Sequence, residues 1–254
     1  DGSSRAGGPA SPGQPVSGVL DAYTRAWNAF LADFGNVWVA TFLFWILILG
    51  SSALVGWIPC FGGIVVAIFV QAPLWVGWYG TLEHGLSCGR ADLGRLFSGF
   101  QKCYWSSVLA MLIPILVVTL VGMVGSAVLF GGVSLAAVAM GEEDLTVLIV
   151  PVILYGLIYG LVSLVIWTLF LMVPLAVWEH PDSGWDAVRD AVGVVFAHLP
   201  QAILYVVIQL LLNLVAGVVG VLLCCAGLVF TLPFAQAWAG LALVLLYRAW
   251  REEA

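Results

Sequence analysis

Charge is what this chain has least of. Only 9% of its 254 residues are charged, and Lys and Arg together number 8; a soluble globular domain carries about 25%. So few cations exclude a nucleic-acid-binding surface, which has to neutralise many phosphates. At 63% hydrophobic residues and a mean hydropathy of +1.10, the chain is neither disordered nor an ordinary soluble domain. Paired metal-ligand signatures are also missing: no C-x-x-C and no H-E-x-x-H occurs, and there are 3 His in all. Nor is there the apolar–polar alternation of barrel strands. Runs such as Val206-Val207-Ile208 and Val147-Leu148-Ile149-Val150 are apolar on every side, and in lipid such runs are helices, because a helix satisfies its own backbone. The net charge of −6 carries no information about partners in a chain of this kind.

What is present is a set of four uncharged intervals, 34–82, 103–141, 145–178 and 191–247. One span needs about 20 apolar residues. The first and last intervals hold a hairpin of two spans each, and the middle two hold one each. The total is six, and the fold class is an all-α polytopic membrane protein. Gly56, Pro59, Gly62 and Gly63 divide the first interval, and Cys224-Cys225-Ala226-Gly227 divides the last. Helices are predicted near 36–57, 64–82, 106–130, 146–178, 200–222 and 228–247. The fourth, at about 1.5 Å per residue, exceeds a hydrocarbon core of about 30 Å, so it must tilt, kink at Pro151 or Pro174, or run into the interface.

With six spans both termini share a side. All of Arg5, Arg25, Arg90, Arg95, Lys102, Arg189, Arg248 and Arg251 fall there, and the opposite loops carry only Glu142, Glu143 and Asp144. Cytoplasmic loops hold the excess of Lys and Arg, so both termini are expected in the cytoplasm. Residues 1–16, rich in Gly, Ser and Pro, read as a flexible linker, and 17–254 as the membrane domain. The linker has no apolar stretch of its own and so is not read as a signal peptide; a further segment is compatible with its start.

The chain repeats a phrase. Phe69 to Val76 (FVQAPLWV) resembles Phe170 to Val177 (FLMVPLAV), with a looser version at Phe230-Thr231-Leu232-Pro233. Glu83-His84, Gly89, Asp92 and Arg95 correspond to Glu179-His180, Gly184, Asp186 and Arg189, and Gly56, Cys60 and Gly63 to Gly220, Cys224 and Gly227. Amphipathic stretches open each unit: Leu20, Tyr23, Trp27, Leu31 and Phe34; Leu93, Leu96, Phe97, Phe100 and Tyr104; Trp185, Val188, Val192, Val195 and Phe196. Such helices lie in the interface. The expected plan is therefore three parallel units of interfacial helix plus hairpin, about 17–82, 83–178 and 179–250.

Pro73-Leu74, Asp92, Phe97-Ser98-Gly99-Phe100 and Pro174-Leu175, each proline phrase followed by a charged loop, resemble uncharacterised six-helix bacterial integral membrane families. Some relatives of these are named for the membrane domain attached to glycerophosphodiester phosphodiesterases. The similarity covers 17–250. It implies the six-helix fold and a bacterial inner-membrane location, and no activity. No soluble segment in these residues is long enough for the phosphodiesterase catalytic domain.

No ionisable carboxylate, Lys or Arg falls inside an expected span, which argues against a proton relay or voltage sensor. Gln71, Gln209, Asn213 and Gln236 are the candidate polar intramembrane cluster, with a second stripe at Tyr155, Tyr159 and Ser163. Interhelical hydrogen bonding is the plainer role for both. Gly122-x-x-x-Ser126, Gly156-x-x-x-Gly160 and Ala216-x-x-x-Gly220 are expected to be close-packing faces. On the cytoplasmic side Glu83, His84, Glu179 and His180 form a candidate cluster with acid–base capacity; capping, and pairing with Arg95 or Arg189, are the competing roles. His84 and Cys88 have helical chelate spacing but lack further ligands, so no metal site is expected, and with no His in mid-span no haem-type cofactor is expected either. Cys60 and Cys224 or Cys225 fall at non-cytoplasmic tips, where a disulfide is chemically allowed. Twelve Trp supply an aromatic belt.

Three roles follow. The first is a non-enzymatic scaffold, assembly or lipid-associating subunit of a membrane complex, whose partners are membrane lipids and other membrane proteins or further copies of itself. The second is a transporter or channel for a neutral or amphipathic solute. The third is a membrane enzyme acting on lipid headgroups. A polar cavity joining the Gln and Asn residues favours transport, convergence of the Glu–His pairs favours the enzyme, and a solid apolar centre favours the first role.

Overall fold

The computed structural model describes residues 16–55, 62–140, 146–223 and 227–253. Among them there is no strand, and six helices are long and apolar enough to cross a membrane. The chain begins with α1 (Val19–Ala32) and turns at Asp33 into α2 (Phe34–Val55). The return runs through α3 (Gly62–Val66), a π-helical turn (Ala67–Gln71) and α4 (Ala72–Cys88), which ends on Gly89 in the left-handed region at φ 73°. A 3-10 turn (Leu93–Phe97) and α5 (Ser98–Lys102) lead into α6 (Tyr104–Met140). Then come α7 (Thr146–Leu169), α8 (Val173–Glu179), α9 (Gly184–Ala197), α10 (Leu199–Leu222) and α11 (Leu228–Glu253).

The three repeated prolines behave differently. Pro174 breaks its span: residues 170–172 are a turn, and Leu171, Val173 and Leu175 bond back three residues, to Thr168, Phe170 and Met172, instead of continuing the α-ladder. This resolves the over-long fourth interval, because a proline offers no N–H to the preceding turn. Pro73 follows the π-helical turn, which widens the ring where its N–H is missing. Pro233 lies inside an unbroken α11, and Pro151, the other kink considered, lies inside an unbroken α7.

Helices α4, α8 and α11 form the inside of the molecule. The apolar windows of the second and sixth candidate spans are 56% and 50% buried, whereas those of the first, third and fifth are 28%, 22% and 22%. The short elements wrap this inner set: α1 packs on α11, the 93–102 segment on α4, and α9 on α8. Close approach at α4 needs two glycines. A Cβ on Gly77 would collide with the Leu96 carbonyl, and one on Gly99 with that of Pro73. This pressed backbone, with the Asp92 side chain capping Gly94 N at 2.9 Å, makes 93–102 a 3-10 turn plus one short helix instead of the single amphipathic helix expected.

The amphipathic stretches also face differently from the sequence reading. In α1 the buried arc is Val19, Ala22, Tyr23, Ala26 and Phe30, while Leu20 and Leu31 are exposed. In α9 it is Ala187, Val188, Ala191, Val194 and Val195, while Trp185 and Phe196 are exposed. Each helix thus has two apolar arcs, one on protein and one facing outward, and a charged third side.

Candidate functional site

The intramembrane polar residues divide between two hairpins. Gln236 of α11 donates through Nε2 to Asn213 Oδ1 at 3.2 Å and accepts from Gln209 Nε2 at 3.4 Å, so three of the four expected residues meet between α10 and α11. Gln71 is elsewhere and donates to Ser52 Oγ of α2 at 3.0 Å. The middle hairpin uses tyrosine: Tyr155 donates to the Gly122 carbonyl at 3.0 Å, next to Ser126 at 3.2 Å, and its ring lies where a Cβ on Gly125 would be. Each pair closes its own hairpin. Gly122 and Gly220 do meet neighbours closely, but nothing approaches Gly156 or Gly160, so that motif is not a packing face among the described residues. Between the hairpins the centre is apolar, with Trp78, Leu74, Leu82, Leu241, Leu243 and Leu246 fully buried. Two indole and phenol groups tie it together: Trp78 Nε1 donates to Thr41 Oγ1 at 3.0 Å, and Tyr205 donates to the Ala239 carbonyl at 3.0 Å.

The cytoplasmic candidates do not converge. Glu83 pairs with Arg248 at 3.1 Å, and Glu179 with Arg251 and with the Tyr247 hydroxyl at 2.9 Å. Both carboxylates therefore clamp the end of α11, in place of the Arg95 and Arg189 pairings expected. His180 faces Asp190 at 3.6 Å on α9. His84 lies apart, in a cleft of about 470 Å³ with Asn36, Cys88, Arg90 and Asp92. Among the described residues no group of three or more His, Cys, Asp or Glu is placed to hold a metal. Cys60, Cys224 and Cys225 lie outside the described residues. Cys88 is exposed and Cys103 buried; burial pushes the Cys103 thiol above its ordinary range, against the Ser107 hydrogen bond and the Lys102 charge.

Three ties hold this charged end together. Asp33, at the α1–α2 corner, accepts from Asn36 Nδ2 at 2.7 Å and from the Ala91 backbone N–H at 2.6 Å. His198 stacks flat on Trp250 and lies 3.2 Å from Glu253. In α1, Asp21 accepts from Ser17 N at 3.0 Å and pairs with Arg25 at 2.9 Å. Partial burial works to raise the Asp21 carboxyl, but the Ser17 and Arg25 bonds outweigh it and hold the group below its ordinary value.

A feature absent from the sequence reading is an apolar groove of about 580 Å³ on the side of the molecule, between α2, α10 and α11. Phe34 and Trp38 form one wall, Phe230, Phe234 and Trp238 the second, and Leu212, Val215 and Val219 the third. Trp38 and Phe230 stack at 5.8 Å and 6°. The hydroxyl in the lining, Thr231, is already engaged with the Ala216 and Gly227 carbonyls at 2.8 and 3.0 Å. Phe230, Val215 and Val219 are exposed on its rim. The signal was available: aromatics recur every four residues at 34, 38 and 42 and at 230, 234 and 238, which puts each set on one helix face.

No family model, curated protein or solved structure matches this chain. With six helices among the described residues long and apolar enough to cross a bilayer, the protein is a multi-pass membrane protein.

Proposed function

We propose that this protein is a non-catalytic, lipid-associating membrane scaffold, with the resemblance to six-helix bacterial inner-membrane families as its setting. The observation that carries the reading is the lateral groove: apolar walls, an already-satisfied hydroxyl and a rim facing outward suit an acyl chain and offer no donor to a polar solute. From Phe230 to Trp238 the α11 wall is about 12 Å long at about 1.5 Å per residue, close to the depth of one leaflet of a core of about 30 Å. The Gln, Asn and Tyr side chains bond within their own hairpins, which supports a structural role over a solute path. Glu83 and Glu179 clamp α11, which supports a non-enzymatic reading.

In this reading the charged end is cytoplasmic, with both termini there, and α1, the 93–102 segment and α9 lie at that interface. Their packing, each on the second span of a neighbouring unit, suits a pseudo-threefold arrangement of three parallel units. The exposed apolar rim of the hairpins supplies the surface for lipids and for other membrane proteins or further copies of the chain. Native mass spectrometry of the protein released from mild detergent tests the role. At least one phospholipid should stay bound, and Val215→Trp, at an exposed rim position, should lower the retained number by one. An unchanged lipid count, or solute flux in proteoliposomes, would overturn the reading.

A further inference from the structure

We propose that the outer flank of α9 binds the headgroup of a zwitterionic aminophospholipid, one that carries a phosphodiester and a primary ammonium. The inference rests on the membrane reading above, because it needs α9 at the interface. At about 100° per residue, Trp185, Arg189, Val192 and Phe196 form one stripe along α9. Trp185 and Phe196 are 64% and 58% exposed, on a face turned away from the buried arc Ala187, Ala191 and Val194. Arg189 sits on the edge of that stripe, about 40° round from Trp185. Next round the helix come Gly193 and Asp186, then Asp190. The order on the protein is therefore apolar stripe, guanidinium, carboxylates.

A phospholipid at the cytoplasmic surface presents the matching order outward from the bilayer: acyl chain, phosphodiester, then ammonium. Arg189 is exposed and makes no ion pair among the described residues, whereas Arg248 and Arg251 are each clamped by a glutamate. Its planar fork suits two phosphodiester oxygens. Asp186 and Asp190 line the same cleft, of about 970 Å³, with Glu253 and His180. Asp186 accepts from Ser183 Oγ at 2.5 Å and Asp190 faces His180 at 3.6 Å, which leaves carboxylate lone pairs on both for an ammonium N–H. Gly193 keeps the path between the two signs open, since a Cβ there would meet nothing within 4 Å. A choline headgroup has no N–H to donate. A glycerol headgroup has no cation and meets three carboxylates.

The experiment is a lipid titration of the full chain in detergent, read by native mass spectrometry. Phosphatidylethanolamine, phosphatidylcholine and phosphatidylglycerol with identical acyl chains are the probes. The ethanolamine lipid should bind about tenfold more tightly than either of the others, in line with one charge-assisted hydrogen bond. Arg189→Gln should weaken all three lipids, the ethanolamine lipid included, because each carries the phosphodiester. Asp190→Asn should abolish the preference over choline and raise binding of the glycerol lipid. Both side chains are exposed, and an unchanged thermal midpoint confirms that each variant folds. Equal binding of the three lipids, or an Arg189→Gln variant with undiminished ethanolamine binding, would overturn the inference. In that case Val215→Trp would still lower the retained lipid number by one, so the two failures are separable.

Discussion

The charged end and the hairpin end of this molecule are built on opposite rules. At the charged end, α1, the 93–102 segment and α9 press onto α11, α4 and α8, and side chains such as Phe30, Leu96, Tyr247 and Trp250 are buried. At the hairpin end the outer helices α2, α6 and α10 turn Leu49, Leu54, Leu120, Met123, Leu214 and Leu222 outward. Water drives the first kind of packing through apolar burial. In lipid no such force separates one apolar surface from another, and close approach and hydrogen bonds remain. The hairpins accordingly meet through Gln–Asn, Gln–Ser and Tyr–carbonyl bonds, and a groove persists between two of them. Dense packing is concentrated at one end and outward-facing apolar surface at the other.

Substitutions sharpen this contrast, and the largest effects belong to the inner helix α4 and the segment pressed on it. Trp78→Ala removes a fully buried ring and the bond to Thr41, and should cost about 4 kcal/mol in a reversible unfolding measurement. Gly99→Ala forces a Cβ onto the Pro73 carbonyl and should cost about 3 kcal/mol by the same measurement, with the 93–102 segment lifting from α4 first in hydrogen exchange. Gln236→Leu breaks two bonds of the third hairpin and should cost about 1 kcal/mol. If it cost as much as Trp78→Ala, the contrast between the packed interior and the hairpin seams would be wrong.

Smaller still is the acid response of α1. The Asp21 carboxyl is lower in the folded chain than in the unfolded one, so its contribution is present above the unfolded value of 3.8 and is lost as pH falls through the lower folded value. An acid titration of wild type against Asp21→Asn should differ by a few tenths of a kcal/mol above pH 4 and converge below the folded value. Gly156→Ala, with open space around it, should leave stability within about 0.5 kcal/mol.

The span count and the helical class were legible because charge is excluded from lipid: the uncharged intervals map onto six long apolar helices. The sequence left the over-long fourth interval open between tilt, run-out into the interface and kinks at Pro151 or Pro174, since both prolines lack the N–H; the fold selects Pro174. Facing was harder. Periodicity collected Leu20, Tyr23, Trp27, Leu31 and Phe34 into one stripe, but a helix at an interface has two apolar neighbours, protein and lipid, and the stripe mixed the two arcs. Glu83 and Glu179 were read as partners of their own loops because Arg248 and Arg251 are remote in sequence, and only the fold brings α11 alongside. Gln71 and Gln236 occupy similar places in the phrase yet bond to different neighbours, since each answers to its own hairpin.

Thiol labelling from one side of the membrane tests the topology beneath all of this. Two variants suffice, each with a single cysteine: one keeps the exposed Cys88, the other carries Glu252→Cys near the end of α11. An impermeant maleimide should modify both from the cytoplasmic face and neither from the other. Modification of the two sites from opposite faces would contradict it.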